Sequence, residues 1–484
     1  MVQVDLVIVG AGFGGSLMAM IGRRLGLSVV LLEQGRHPRM AIGESTTPLS
    51  NLLLEGLCAR YDLPRIAPLA KWGSWQRTYP RIACGLKRGF TFFHRDGGEL
   101  LVAASPHDKI ADTHWYRAEV DHFLMMEAQN LGVDYRDRAR IESLDLAGDG
   151  TTIIGRAGEE RFCFRAGLLL DATGPRGFLH RSLHLEEAPL PGLPARESLY
   201  SHFTGVTRTE TADAPYPVDD AAVHHVFEGG WVWVLRFNNG VTSAGVAATQ
   251  AMAAELGLSE GEPAWQRVLA RLPVLQSQFK DAIACQPFRH MPAVSYRSRT
   301  IAGHRWAMLP SAAGFVDPLL SSGFALTLIG IERLARIIGG EGDLTCYAQQ
   351  TESDLLAVSR LISALYATMG NFPAFTAVSL LYFAAVSFSE TAHRLGKPAL
   401  APGFLLPNSE LLLERAHTLD GVNETRVFTE DVLRLIEPFN IGRFGDPALR
   451  NRYPVRAEDL LQARSKLGGS REEIMAMMDK TGFS

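Results

Sequence analysis

The order of apolar and polar positions at the start of the chain reads as strand, turn and helix. Leu6 to Val9 is an unbroken apolar run, the mark of a strand covered on both faces. Gly10-Ala11-Gly12-Phe13-Gly14-Gly15 follows, Ser16 to Arg24 has helical spacing, and Leu27 to Leu32 is a second apolar run. Two later runs have the same character: Leu168 to Gly174, ending in small residues, and Arg305 to Pro318, a third strand that ends in the acid Asp317 before a helix. Period-two alternation marks Ala83 to Ala103 and Leu199 to Ala248 as antiparallel strands. From Leu355 onward the pattern is helical, punctuated at Pro398 to Gly403 and at Gly445-Asp446-Pro447. The longest apolar stretch, Thr376 to Phe388, falls short of the roughly 18 residues that cross a bilayer, so a buried helix is expected there. The whole predicts an α/β fold: a Rossmann-like module, an inserted antiparallel sheet and a C-terminal helical subdomain.

Composition narrows the partners more than the fold. The 484 residues are 46% hydrophobic and 21% charged, with a formal net charge of −4, so no basic field is offered to nucleic acid or anionic lipid. The five cysteines, Cys58, Cys84, Cys163, Cys285 and Cys346, have no CxxC spacing, and their odd number argues against a disulfide framework or a zinc site. Reduced core thiols in a cytoplasmic protein are expected. Met1 to Val9 enters a strand directly, with no basic segment or cleavage site of a leader.

The glycine turn has a specific chemistry. Gly10 permits the tight turn, Gly12 lets the backbone approach a pyrophosphate, Gly14 belongs to the same loop, and Gly15 allows helix and strand to pack closely. Glu33, at the end of the second run, stands where a carboxylate accepts hydrogen bonds from a ribose hydroxyl. A second feature is Lys87, alone in the apolar, strand-like run Ala83 to Phe93. An unpartnered buried ammonium costs several kcal/mol, so such a lysine loses its proton, finds a chemical task, or snorkels from a strand edge beside Arg88.

With Trp115 to Asp121, these dispersed segments resemble the FAD-binding monooxygenase-like flavoproteins of the aromatic-hydroxylase type. That resemblance implies FAD as resident cofactor, with Arg117 near the nucleotide and Asp317 at the ribityl chain. It sharpens at Gly43-Glu44-Ser45-Thr46-Thr47-Pro48, Tyr200-Ser201-His202-Phe203, Trp231-Val232-Trp233-Val234-Leu235 and Asp317-Pro318-Leu319-Leu320-Ser321-Ser322-Gly323, which resemble the flavin-dependent halogenases, in their order. The match runs from Val4 to about Glu390, and Gly85 to Phe90 resembles the phenol-type members. The family then implies that Ser45, Thr46 and Thr47 lie on the flavin. Ser322 and Gly323 offer backbone N–H groups to halide, Trp231 and Trp233 wall a tunnel, and Lys87 relays hypohalous acid to an electron-rich phenol or pyrrole, free or tethered to a carrier protein. Reduced flavin is expected from a separate reductase.

The implied organisation is an FAD-binding module over 1–345, with nucleotide segments at about 1–50, 110–180 and 295–345. A substrate-side sheet at about 60–105 and 198–292 is interleaved with it, and a helical subdomain follows over 346–484. Phe372, Phe375, Leu380, Leu381 and Phe383 are candidates for its pocket face. Two departures stand out. Leu320 occupies the place of a glutamate found in tryptophan halogenases, which favours a ring activated from within. Arg236 replaces the proline that ends the family's WxWxIP segment, and either solvates on a loop or receives an anionic substrate group. His202, His224 and His225, lacking ligands at metal spacing, are expected to be satisfied structural residues. The alternatives are a flavin-dependent aromatic hydroxylase, which Arg236 favours, and a flavoprotein that matures a protein partner.

Overall fold

The computed structural model describes residues 1–148, 150–209 and 211–483. Its first sheet is built around Val2–Val9, which pairs in parallel with Val29–Leu32 on one side and Glu160–Asp171 on the other. Leu6 to Val9 are buried because both faces of this central strand are covered. Asp134–Arg136 extends the sheet beyond Val29–Leu32, and Trp306–Met308 extends it beyond Glu160–Asp171. The first helix, Phe13–Arg24, begins at the glycine turn itself. One expectation needs correction. Arg305 to Pro318 is not one strand, because Pro310 has no N–H to give a ladder; it opens the short helix Pro310–Ala313, and only Trp306–Met308 joins the sheet.

The second sheet contains Arg196–Thr204, Thr242–Thr249, Gly230–Arg236 and Ala222–Phe227 in antiparallel succession, then Gly89–His94 and Glu99–Ala103. The expected all-antiparallel pattern fails at one junction: Gly89–His94 runs parallel to Ala222–Phe227, which the long excursion of the chain through the first sheet permits. Arg452–Tyr453 adds a short edge strand to Glu99–Ala103, so the region after 346 also contributes to this sheet.

Helices Leu344–Thr368, Phe372–Arg394 and Gly421–Ile436 cover that sheet, and their apolar faces form a core with Phe90, Phe92 and Trp231. Phe372–Arg394 is long and apolar enough to cross a membrane, yet 83% of its apolar window is buried inside the protein. The cysteines also differ from expectation. Cys58 and Cys84 are core thiols, but Cys285 and Cys346 are exposed.

Candidate active site

At the nucleotide end, Gly10 has φ +101°, and a Cβ there would stand 2.6 Å from the Ala172 carbonyl oxygen. A Cβ on Gly15 would stand 1.9 Å from the Gly10 oxygen, so no larger residue fits. Gly14 packs against Thr327 and Leu309, and a Cβ on Gly12, the residue before the helix, would stand 3.5, 3.8 and 3.8 Å from Arg117, Arg39 and Asp121. A helix N-terminus with two guanidinium groups beside it suits a pyrophosphate. Arg117 is held there by two bonds to Asp121, at 2.7 and 2.8 Å, and by the Ile42 and Gly43 carbonyls. Glu33 accepts from the Ala11 and Gly35 N–H groups, both at 2.9 Å, and pairs with Arg39 at 3.1 Å. Although burial pushes its carboxyl up, Arg39 and those N–H groups outweigh it and hold the pKa below the ordinary range. The buried Ser45 hydroxyl has no partner among the described residues. The cradle, the cations and this orphaned hydroxyl fit FAD.

The next segment links this end to Lys87. Thr46 donates its N–H and hydroxyl to the Thr113 carbonyl at 3.0 and 2.9 Å, Thr47 caps helix Pro48–Arg60, and the Trp115 N–H bonds the Glu44 carbonyl at 2.6 Å. The Glu44 carboxylate meets His202 Nε2 at 2.8 Å, so two of the sequence segments are joined by a buried pair. Cys84–Lys87 and Asp112–Trp115 form a two-stranded ribbon in which Lys87 faces Asp112.

Lys87 is fully buried and does not snorkel, whereas Arg88 turns to Asp108 at 2.8 Å. The Lys87 Nζ donates to the Thr46 carbonyl at 2.5 Å and lies 3.9 Å from the centroid of the Phe90 ring. Among the described residues it makes no direct ion pair. Asp112, also buried, accepts from Asn51 Nδ2 at 2.7 Å through Oδ1, while its Oδ2 has no partner among the described residues. Burial pulls the lysine's pKa down against the charge of Asp112, and burial pushes the aspartate's up against the charge of Lys87. A lysine so placed is a nucleophilic amine at lower pH than usual.

The loop from Asp317 to Gly323 is strained. Leu320 and Ser321 have φ values of 67° and 55°, in a region L-residues rarely adopt. The Leu319 N–H bonds to Asp317 Oδ1 at 3.0 Å and the Tyr382 hydroxyl donates to the Leu320 carbonyl at 3.1 Å, holding this geometry. Ser322 opens helix Ser322–Ile338, so its N–H and that of Gly323 lie in a first turn without intrahelical acceptors. Beyond its own helix turn, no described residue comes within 4 Å of a Cβ built on Gly323. Asp317 itself faces inward. Its Oδ2 meets Arg196 Nε at 3.0 Å and accepts from the Tyr366 hydroxyl at 3.1 Å, and Trp231 donates to that same hydroxyl at 3.1 Å. Both carboxylate oxygens are therefore engaged by the protein.

Trp231 and Trp233 are buried with centroids 5.7 Å apart. His224 lies 5.1 Å from Trp231 and 4.6 Å from Phe92, and Phe92 lies 6.2 Å from Phe90. An aromatic wall thus runs from Phe90, under Lys87, to Trp231, beside the Asp317 network. Of the histidines, His202 is satisfied by Glu44, but among the described residues the buried His224 Nδ1 and His225 Nε2 find no partner, so the expectation of full satisfaction fails for those two.

A cavity of about 160 Å³ opens between the second sheet, helix Phe372–Arg394 and the C-terminal segments; Phe90, Asp112, Asn51, Tyr382, Phe383 and Phe444 are among its walls. Lys87 lies behind Phe90 and Asp112, outside the lining. Of the apolar candidates only Phe383 faces the cavity; Phe372 and Phe375 stack on each other in the core. Arg236 meets neither expectation. It pairs with the buried Asp219 at 2.9 Å and donates to the Val206 and Thr207 carbonyls, fastening a loop to the sheet. The sequence assigned no site role to Asp112, Asn51 or Tyr382, although Tyr382 lies in a helix, Leu381 to Glu390, that resembles one of the family. An acid opening a buried strand at Asp112 was the one available signal, but the pairing that sets it opposite Lys87 was not.

The comparisons agree with this geometry. The family model described as tryptophan halogenase matches residues 112–370, more than half of the chain. Tetracycline 7-halogenase of Kitasatospora aureofaciens is 30% identical over 411 residues, 79% of this chain and 73% of that protein. Monodechloroaminopyrrolnitrin halogenase PrnC of Pseudomonas fluorescens is 29% identical over 350 residues, 68% of this chain and 60% of that protein. The crystal structure of halogenase PltM with phloroglucinol and FAD superposes with a TM-score of 0.80 at 25% identity, covering 93% of this chain and 98% of that one. With a glycine cradle suited to FAD and a family model matched over more than half of its length, this chain belongs to the flavin-dependent halogenases, FAD-binding enzymes of the oxidoreductase type.

Proposed function

We propose that this halogenase acts on an electron-rich aromatic ring, of phenol or pyrrole type, and that Lys87 relays the halogen. The observation that supports this most is the position of Lys87: fully buried, next to two walls of the cavity, Phe90 and Asp112. Tyr382 lines that cavity and bonds the Leu320 carbonyl, so one side chain separates the cavity from the strained loop. PltM is known with phloroglucinol and FAD, which favours a phenol here.

When bound and reduced, FAD supplies hypohalous acid from oxygen and halide; a separate reductase provides the reduced form. The N–H groups of Ser322 and Gly323 hold the halide. The wall from Phe90 to Trp231 excludes water, so the oxidant reaches Lys87 before it is lost. The buried amine exchanges N–H for N–X with release of water. The ring carbon then takes the halogen as the N–X bond breaks toward nitrogen, and the ring proton ends on the Lys87 nitrogen. With leucine at position 320, the ring itself supplies the activation that a neighbouring carboxylate gives an indole in tryptophan halogenases.

The test supplies FAD, a reductase, NADH, bromide and a panel of phenols and pyrroles to wild type and Lys87→Met, with products weighed by mass spectrometry. A bromine isotope doublet from wild type that disappears in Lys87→Met, with FAD binding retained, is expected. Brominated product from both proteins sinks the role of Lys87, and hydroxylated product from wild type sinks the proposal.

A further inference from the structure

Leu320 and Ser321 are two successive residues with side chains in the left-handed region, at φ 67° and 55°. Each is penalised there by the approach of its Cβ to the following carbonyl oxygen. Such a turn persists only while its surroundings hold it. Within the loop, the Leu319 N–H bonds to Asp317 Oδ1 at 3.0 Å and the Ser321 N–H to the Pro318 carbonyl at 3.2 Å. The Ser321 side chain makes no capping bond. From outside, the Tyr382 hydroxyl on helix Phe372–Arg394, 62 residues away, donates to the Leu320 carbonyl at 3.1 Å, in the middle of the strained pair. We infer that Tyr382 is a positioning residue for the halide: by fixing the Leu320 carbonyl it holds the turn left-handed, and so keeps the N–H groups of Ser322 and Gly323 aimed at the anion.

This rests on the proposed halide site and names what aims it. Phe324 and Leu328 anchor helix Ser322–Ile338 in the core, so a relaxing turn cannot carry the helix with it. The peptides just before the helix must take up the change, and the Ser322 N–H turns first. Gly323 is exposed, which leaves its own N–H open to an approaching anion. Burial, and after it the charge of Asp112, raise the pKa of Tyr382 above that of a free phenol, so at neutral pH its hydroxyl keeps the proton it donates. That hydroxyl is committed to the Leu320 carbonyl and acts on the halide through the loop.

The test is the chloride affinity of the full-length protein loaded with FAD, read from the chloride NMR linewidth, beside steady-state bromination of resorcinol. Four proteins are compared: wild type, Tyr382→Phe, Tyr382→Phe with Ser321→Gly, and Ser321→Val. Loss of the one hydrogen bond in Tyr382→Phe is expected to weaken chloride binding and raise the KM for bromide by about fivefold to tenfold, with kcat at saturating bromide and the KM for resorcinol within about twofold of wild type. Glycine takes the left-handed region without penalty, so adding Ser321→Gly should return chloride affinity to within about threefold of wild type. Ser321→Val, whose branched side chain resists that region, should weaken chloride binding with Tyr382 intact. Unchanged affinity in Tyr382→Phe, a loss that Ser321→Gly does not restore, or no saturable chloride binding in wild type overturns the inference. Should Tyr382→Phe fail to fold, Ser321→Val decides, and unchanged affinity there overturns it. Bromination of resorcinol by wild type, with halide affinity indifferent to Tyr382, would refute the positioning role and leave the aromatic halogenation intact. Chloride affinity that falls and returns as expected, with no ring brominated by wild type, would leave the positioning role and refute that halogenation.

Discussion

The opposition of Lys87 and Asp112 gives a measurable coupling. Opposed residues of an antiparallel pair have Cβ atoms about 5 Å apart, and these two face each other across the ribbon. Unit charges at that order of separation, at an effective dielectric of about 20, attract by about 3 kcal/mol. Lys87→Met leaves Asp112 buried with only Asn51 for company, and Asp112→Leu leaves the ammonium with one carbonyl and one aromatic face. Each single change is therefore expected to cost up to about 3 kcal/mol, because the survivor either stays buried as an uncompensated charge or gives its charge up by changing protonation. The double variant replaces both by apolar groups and is expected to lie within about 1 kcal/mol of wild type. Urea unfolding at neutral pH, followed by tryptophan fluorescence with refolding verified, yields the four free energies. A coupling near 3 kcal/mol supports the reasoning. Single effects that add to within about 0.5 kcal/mol would refute it, for then the two groups do not sense each other.

Other expectations follow from the same structure. Burial, reinforced for His114 and His224 by the charge of Lys87, pushes the pKa values of His114, His224 and His225 down from 6.5 to about 3. The unfolded chain therefore binds protons that the fold refuses, and stability is lost as pH falls below 6.5 toward 3. At pH 5 each histidine costs up to about 2 kcal/mol; melting at pH 7.5 and pH 5 checks this, and His225→Phe should narrow the gap. Gly15→Ala, whose Cβ would stand 1.9 Å from the Gly10 oxygen, should abolish FAD binding in a fluorescence titration, and retained affinity would contradict the cradle. Arg236→Ala strips Asp219 of its ion-pair partner, leaving it the Thr209 N–H, and should cost about 3 kcal/mol in urea unfolding, with the halogenated product per NADH unchanged; a selective loss of product would instead place Arg236 on the substrate.

Local chemistry was legible before the fold. Gly10, Gly12, Gly15 and Glu33 announce the turn because its sterics and its phosphate geometry are set within about 25 residues, and the structure adds Arg39 to the Arg117 that the resemblance had placed near the nucleotide. Lys87 was legible as an anomaly, a charge in an apolar run. Asp112 was not, since strand pairing between segments some 25 residues apart leaves no trace in either segment alone. Arg236 shows the converse: a charged side chain at the end of a family segment is spent on the scaffold, and only its pairing with Asp219 reveals this. The parallel pairing of Gly89–His94 with Ala222–Phe227 was invisible for the same reason, because alternation reports which face is buried and says nothing of direction.

The most direct test of the account is where the oxidising halogen goes. With reduced FAD supplied at a fixed rate, bromide and resorcinol present, and a small trap for free hypobromous acid in solution, wild type should place most of the bromine on resorcinol. Lys87→Met should oxidise flavin at the same rate and deliver its bromine to the trap. Equal partition to resorcinol in both proteins would contradict the claim that the buried lysine passes the halogen to the ring.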